Sequence, residues 1–387
     1  MLKAPELTLL TGAEATAEAT RQINPDVFPV YPITPQTPII QTFAQMVADG
    51  KADTEIINVE SEHSAMSAAV ASALAGARTM TATSSQGLAL MVEIVYIAAS
   101  LRAPLVMAVG NRALSGPINI HADHSDAMLA RDTGWVQLFA ENAQEAYDLM
   151  VMSPRVAEHP EVLLPVMVGM DGFTITHSAE PVALLEDAQV QRFVGQYRIP
   201  YPLLDVAQPV TYGPFAMPDS YYELRYEIER ALGRVPGVLD AVAGEYARLS
   251  GRQYAAYEAY RLEDAERAIV VMGSTAGTTK DTIDRLREKG EKVGLLKLRL
   301  FRPFPAQAIR EALIHVPKVA VLDRAMSLGG FPPLFAEVSA ALYGSPVGLQ
   351  SYVYGLGGRE IYGEDLERVF DELNEPPGPT RYVGLRR

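Results

Sequence analysis

A chain of 387 residues in which 48% are hydrophobic carries enough apolar side chain for about two or three folded units with buried cores. Its formal net charge of −14, with no Lys/Arg run, excludes a protein that tracks nucleic-acid phosphates. The absence of cysteine fits a reducing compartment and excludes a thiolate-held iron–sulfur cluster or a Cys-type zinc site in this chain. Near the start, MLKAPELTLLTG is too short in its apolar run for an export signal and carries Glu6, so a cytoplasmic protein is expected. Leu7–Leu10 reads as a strand, a turn at Gly12 leads to an Ala-rich helix over 13–22, and Val27–Tyr31 is extended. A helix over about 38–48 precedes a strand at Glu55–Val59. The next helix, Ser64–Ala75, is mostly Ala, Ser and Met, and such small side chains let backbones approach closely. Strand Thr79–Thr83, a helix over 88–100, strand Leu105–Val109 and a strand near Leu164–Val168 continue the alternation. The most apolar stretch, Gln86 to Val109, is interrupted by Glu93, Arg102 and Pro104 and reads as a buried helix and strand, with no membrane span. Strands separated by helices define a parallel, doubly wound sheet.

Between about 180 and 222 prolines fall at 181, 200, 202, 209, 214 and 218 with aromatics interleaved, and no regular element is expected. The segment is too apolar for a free linker and reads as an arm, over about 185–222, packed on a partner or a neighbouring domain. A helical stretch over about 222–249, broken at Pro236, leads to the second half. There the alternation resumes: strand Ala268–Met272, helix Thr279–Lys289, strand Val293–Leu298, helix Ala306–His315 and strand Val319–Leu322. A helix near Pro333–Leu342, a strand at Gln350–Tyr354 and a helix from about Gly363 to Leu373 complete a second α/β domain. The expected division is 1–250 and 251–387. Neither Gly273-x-x-x-Gly277 nor Gly355-Leu356-Gly357-Gly358 fits a dinucleotide or P-loop pattern, so both read as tight turns. His121-Ala122-Asp123-His124-Ser125-Asp126 reads as a polar turn, and no metal site is expected in this chain.

Four segments of the first third each follow a strand-like run: Tyr31-Pro32-Ile33-Thr34-Pro35, Glu60-Ser61-Glu62-His63-Ser64, Thr83-Ser84-Ser85-Gln86-Gly87 and Asn111-Arg112. In a parallel sheet the carboxyl ends of the strands face one crevice, so these polar groups converge there. One hydroxyl, one carboxylate, one Ser/Gly turn and one guanidinium would meet. Each segment also has a plainer account. Thr34 lies in a rigid turn between two prolines, Glu62 suits the first turn of a helix, Ser84–Gly87 serves as a helix cap, and Arg112 serves as a surface charge.

Taken in order and spacing, YPITPQTPI, VESEHSAMSA, TATSSQGLALM and NRALSGP closely resemble the alpha subunit of the 2-oxoacid:ferredoxin oxidoreductases, the pyruvate enzyme being the nearest match. The resemblance continues through DHSDAMLARDTGW (123–135), LPVMVGMDGF (164–173), AIVVMGS (268–274), LRLFRPFP (298–305) and VAVLDRAMSLGG (319–330), and is weakest over about 185–255. It implies a thiamine-diphosphate-binding domain of the pyrimidine type followed by a transketolase C-terminal-like domain, both doubly wound. It implies that Glu62 hydrogen-bonds the aminopyrimidine ring nitrogen N1′ and that Thr34 and Arg112 contact the 2-oxoacid. Pro32, Ile33, Ser85, Gln86 and Gly87 would line the cofactor. A side chain cannot readily act as a carbanion sink, so the family's reliance on thiamine diphosphate is chemically reasonable.

No Gly-Asp-Gly run followed by Asn, the diphosphate–magnesium site of thiamine enzymes, occurs in the chain. The resemblance therefore implies a beta subunit holding thiamine diphosphate and magnesium, and gamma- and delta-type subunits or equivalents holding 4Fe–4S clusters. The implied reaction takes a 2-oxoacid, coenzyme A and oxidised ferredoxin to acyl-coenzyme A, carbon dioxide and reduced ferredoxin, reversibly. Sister enzymes use branched-chain 2-oxoacids or 2-oxoglutarate, and Thr34 fits the pyruvate pattern without excluding a branched substrate. A non-redox thiamine enzyme subunit and a non-catalytic scaffold subunit are the remaining alternatives, and a scaffold has no need of Thr34, Glu62 and Arg112 together.

Overall fold

Apolar runs separated by amphipathic helices become two sheets and a ribbon in the computed structural model, which describes residues 7–386. The first part of the chain contributes β1 (Leu7–Thr11), β2 (Val27–Val30), β3 (Glu55–Asn58), β4 (Thr79–Thr83), β5 (Leu105–Asn111), β6 (Val136–Phe139), β7 (Val166–Asp171) and β8 (Ala179–Ala183). The remainder contributes β9 (Tyr257–Tyr260), β10 (Arg267–Val271), β11 (Val293–Leu298), β12 (Leu300–Arg302), β13 (Lys318–Asp323), β14 (Gly348–Val353) and β15 (Arg381–Tyr382). Among the described residues the first sheet has the order β12-β6-β7-β5-β4-β2-β3 and is parallel except where β12 meets β6. The second has the order β15-β14-β13-β10-β11-β9, with only the edge strand β9 antiparallel. The protein is α/β with two doubly wound, mainly parallel sheets. Helices cover both faces, which is why β5 and β7 are buried along their whole length. Among the described residues no helix is long and apolar enough to cross a membrane. Part of the N-terminal stretch read for an export signal, residues 1–6, lies outside the described residues.

The strand order fixes where a ligand can sit. From β2 the chain steps outward to β3, then returns to the other side of β2 to form β4. Strand order reverses there, so the crevice beyond the carboxyl ends of β2 and β4 is the topological switch point.

Several elements differ from the sequence reading. The helix expected from Ser64 begins at Glu62, because Ser61 Oγ accepts the Ser64 N–H at 3.2 Å and caps it. The segment expected to be irregular after residue 180 contains β8 and a helix, Asp187–Val194, whose start is closed by reciprocal bonds between Glu186 and Gln189. β8 is tolerant of Pro181 because it belongs to a two-stranded ribbon with β1. The helical stretch expected to break at Pro236 instead divides into Tyr221–Leu232 and Val235–Ser250. Pro236 sits in the first turn of the second helix, where its missing N–H has no intrahelical partner to lose. β12 leaves the second half of the chain to pair with β6, Leu300 opposite Leu138.

A buried ionic lattice joins the helix Ala143–Ala157 to β11. Lys297 Nζ contacts Glu141 at 2.5 Å, Glu145 at 2.7 Å and Glu258 at 2.7 Å, and Arg299 contacts Glu145 at 2.7 Å. Lys280 bonds Glu141 and Glu258 from the other side. The three carboxylates are close enough to hold a metal ion, but three cations already occupy their oxygens. Burial pushes the Glu145 carboxyl up; Arg299 and Lys297 outweigh it and hold it at about 2. The folded state thus binds this proton more weakly than the unfolded chain. The resulting stability is present above pH 4.5 and is lost as pH falls toward 2. In Glu145→Gln, stability measured by denaturant unfolding should fall less between pH 4.5 and pH 3 than in the wild type. The difference should be about 2 kcal/mol, and equal slopes would remove Glu145 from this role.

Candidate active site at the switch point

The turn after β2 is pinned from inside. Gln36 is buried, donates from Nε2 to the Ala82 carbonyl at 2.7 Å, and its backbone N–H reaches Ile33 O at 2.9 Å. That leaves Ile33 half-buried and Pro32 and Thr34 exposed on the crevice side of the turn, with the Thr34–Pro35 peptide cis. Arg112, 6% exposed at the end of β5, donates from Nη1 to the Thr34 carbonyl at 2.8 Å and from Nε to the Asn119 carbonyl at 2.9 Å. Its Nη2 makes no hydrogen bond among the described residues, so one edge of the guanidinium fork is uncommitted. Thr34 and Arg112 are therefore direct neighbours.

The turn after β4 is more constrained. Ser85 has φ of 45°, a left-handed conformation that costs a non-glycine residue about 1–3 kcal/mol unless its surroundings hold it. Here Ser85 N donates to Asp126 Oδ2 at 2.9 Å and Ser85 Oγ to the Ala113 carbonyl at 2.6 Å. Gln86 Oε1 accepts from Ser115 N at 2.9 Å. Two residues into the helix, a methyl group on Gly87 would stand 2.5 Å from Thr83 Oγ1 and 2.9 Å from Glu62 Oε1. Only hydrogen fits. The carboxylate of Glu62 thus lies against the first turn of the helix Ser85–Ser100, although the two residues belong to different strand–helix units.

Glu62 is 8% exposed, and its carboxylate has no hydrogen-bond partner among the described residues. The buried hydroxyls Thr83 Oγ1 and Ser84 Oγ are unpartnered as well. A largely buried carboxylate with no donor beside it, next to two unpartnered hydroxyls that can each donate or accept, leaves this pocket able to take a polar group from outside the chain. At Gly110 a methyl would come within 3.0 Å of Ser84 Oγ and 3.5 Å of Pro35 Cγ, and at Gly172 within 2.8 Å of Pro35 Cγ. The ends of β2, β4, β5 and β7 are therefore contiguous.

The residue that ties this together was not singled out in the sequence. Asp126, fully buried, accepts from Ser85 N at 2.9 Å, Arg112 N at 3.0 Å, Asn111 Nδ2 at 2.9 Å and Ala127 N at 2.7 Å. Burial pushes its carboxyl up to about 6, even though Asn111, Arg112 and Ser85 donate to it. It connects the turn after β4 to the residue that carries the guanidinium. The available signal was a carboxylate leading straight into the apolar run Ala127-Met128-Leu129-Ala130. His124, two residues earlier, bonds Asp171 Oδ1 at 2.6 Å, and Asp171 Oδ2 accepts from Arg324 Nη1 and Ser274 N, both at 2.9 Å. Burial opposes ionisation of Asp171, but Arg324 and His124 outweigh it and hold the carboxyl well below the usual range. This charged latch joins the first sheet to the loops after β10 and β13, and of the two histidines in the 121–126 segment it is His124 that serves it.

A family model described as pyruvate flavodoxin/ferredoxin oxidoreductase, thiamine diP-bdg, matches residues 18–243, and one described as pyruvate:ferredoxin oxidoreductase core domain II matches 265–366. The fold and these matches define a subunit of the thiamine-diphosphate-binding oxidoreductases. Its curated relatives include the pyruvate synthase subunit PorA of Thermotoga maritima, 54% identical with 100% of both chains covered. They also include that of Methanothermobacter thermautotrophicus, 46% identical with 98% of each covered. The chain belongs to the family of pyruvate synthase PorA subunits. Among solved structures, the 2-oxoglutarate:ferredoxin oxidoreductase of Magnetococcus marinus, with 2-oxoglutarate, coenzyme A and succinyl-CoA bound, superposes with a TM-score of 0.75 at 20% identity. The match covers 95% of this chain and 66% of that one, and it shows a shared fold.

Proposed function

We propose that this chain is the alpha subunit of a pyruvate:ferredoxin oxidoreductase and supplies one half of its active site. The assembled enzyme converts pyruvate and coenzyme A to acetyl-coenzyme A and carbon dioxide, the electrons passing to ferredoxin, and runs in either direction. Thiamine diphosphate, when bound, supplies the carbanion sink that side chains lack. The observation that carries this reading is the unpartnered carboxylate of the largely buried Glu62 held against Gly87, beyond the same sheet's strand ends as the bonded pair Thr34 and Arg112. Glu62 would hold the proton at N1′ of the cofactor's aminopyrimidine, which gives its carboxylate a hydrogen-bond donor. Pro32, Ile33, Ser85, Gln86 and Gly87 would line that ring. Arg112 would use its free edge on the substrate carboxylate, a fork-to-carboxylate match, and Thr34 would donate its hydroxyl to the 2-oxoacid.

The remaining parts belong to partners. With no diphosphate–magnesium motif and no cysteine in this chain, a beta subunit holds the diphosphate and magnesium, and gamma- and delta-type subunits or equivalents hold the 4Fe–4S clusters, in the cytoplasm. On this reading residues 1–250 form the pyrimidine-type unit and 251–387 the transketolase C-terminal-like unit. The arm at about 185–222 supports a large interface. It lies against the helix Glu62–Ala75, with Leu203 N bonded to the Leu74 carbonyl at 2.8 Å, yet it leaves Val206 95% and Phe215 92% exposed.

Arg112→Ala and Thr34→Val test the reading. In the assembled complex Arg112→Ala should lower kcat/KM for pyruvate by about 1.5–3 kcal/mol and Thr34→Val by less, with thiamine diphosphate affinity unchanged. Ordinary pyruvate kinetics combined with poor cofactor affinity in both variants would overturn these roles.

A further inference from the structure

The glycine turn Gly355–Gly358, at the carboxyl end of β14, has no place in the chemistry above, yet it reaches across to the first sheet. The Gly357 carbonyl accepts from Asn119 Nδ2 at 3.1 Å, and Gly358 N donates to the Ala122 carbonyl at 2.7 Å. The approach requires glycine. A methyl on Gly357 would stand 2.5 Å from Asn119 Nδ2, one on Gly358 would stand 2.4 Å from His121 Cβ, and both residues have positive φ, 62° and 78°. Asn119 in turn accepts from His121 N at its own Oδ1, 2.7 Å, and its backbone carbonyl is the acceptor for Arg112 Nε. The loop is closed at its base by Ala113 N on the His121 carbonyl at 3.0 Å and held at Ser115 N by Gln86, but its tip, Gly116 to Ile118, is exposed. The base of the glycine turn is itself fixed, since Arg324, bonded to Asp171 in the latch, donates to the Gly355 carbonyl at 3.3 Å.

We propose that the Gly355–Gly358 turn, acting through Asn119, is a positioning element for the Arg112 guanidinium, so that the second sheet sets the affinity of the site for the substrate carboxylate. The inference rests on the reading of Arg112 as the carboxylate clamp. A long Arg side chain loses its rotamer freedom on binding, and holding Nε and Nη1 on two fixed carbonyls orients the fork before substrate arrives. Releasing Asn119 removes the side-chain tie between the loop tip and the glycine turn, and with it the restraint on one of those two carbonyls. Asn119 touches neither substrate nor cofactor in this account and acts only through Arg112.

The test is steady-state kinetics on the assembled complex carrying Asn119→Ala, Gly357→Ala, Arg112→Lys or Arg112→Lys with Asn119→Ala. Asn119→Ala and Gly357→Ala should each raise KM for pyruvate about 5- to 20-fold, with kcat within about twofold and thiamine diphosphate affinity unchanged, as expected when binding common to ground and transition states is removed. In the Arg112→Lys background, adding Asn119→Ala should change KM less than about twofold, because the group it positions is already gone. The inference fails if Arg112→Lys raises KM while both Asn119→Ala and Gly357→Ala leave it ordinary. It also fails if the Asn119→Ala effect is as large in the Arg112→Lys background, or if cofactor affinity falls in step with pyruvate affinity. An ordinary KM in Arg112→Lys itself would overturn the clamp reading, and this inference with it.

Discussion

Glu62→Gln should leave the complex folded and assembled and lower pyruvate turnover by roughly 10²- to 10⁴-fold, the worth of a positioned proton-transfer group. The substitution is close to isosteric, so the fit over Gly87 and the cap from Ser61 are kept. What is lost is the ability to hold or release a proton at the buried face where the carboxylate has no other partner. Thiamine diphosphate should still bind, with affinity reduced far less than turnover. A variant keeping more than about a third of the wild-type rate would remove Glu62 from this role.

The second large effect concerns partners. Purified alone, this chain should be colourless and should show no pyruvate-dependent reduction of ferredoxin or a viologen dye, because it has no cysteine for clusters and no diphosphate–magnesium motif. Mixing it with the subunits proposed to hold thiamine diphosphate and the clusters should restore that activity. The exposed apolar arm, together with the exposed side chains Leu90 and Ile97 on the helix Ser85–Ser100, should be covered in the process, as expected of an obligate interface of roughly 2,000 Å² or more. Protection of Phe215 and Val206 from surface labelling on assembly would report it directly. Activity of the isolated chain, or full activity of the other subunits without it, would contradict the half-site account.

Much of the architecture was legible because parallel strands buried on both faces are continuous apolar runs, and the helices between them carry recognisable starts and stops. Thr79–Thr83 and Val293–Leu298 fall where the pattern puts them. The candidate site was legible for the same reason, since Thr34, Glu62, Ser85 and Arg112 all follow strands of one sheet. Elements fixed by tertiary pairing were not. β12 is three residues long and is a strand only because β6 lies beside it, and β9 is a half-exposed antiparallel edge. The local sign at Asp126, a carboxylate ahead of an apolar run, says nothing of its partners, since it meets Ser85 across 41 residues and Arg112 N across 14. The latch is more distant still, Asp171 and Arg324 being 153 residues apart. A polar residue whose partners come from other elements looks, in sequence, like any turn residue.

On the proposed reading, this chain's Glu62 carries the proton coupling that activates the cofactor. This role is tested most directly by the exchange of the thiazolium C2 proton of thiamine diphosphate bound to the assembled complex, followed by quenched-flow and NMR without substrate. Exchange should slow by roughly 10²-fold or more in Glu62→Gln, with the cofactor still bound. Exchange at the wild-type rate in a cofactor-loaded Glu62→Gln complex would contradict it.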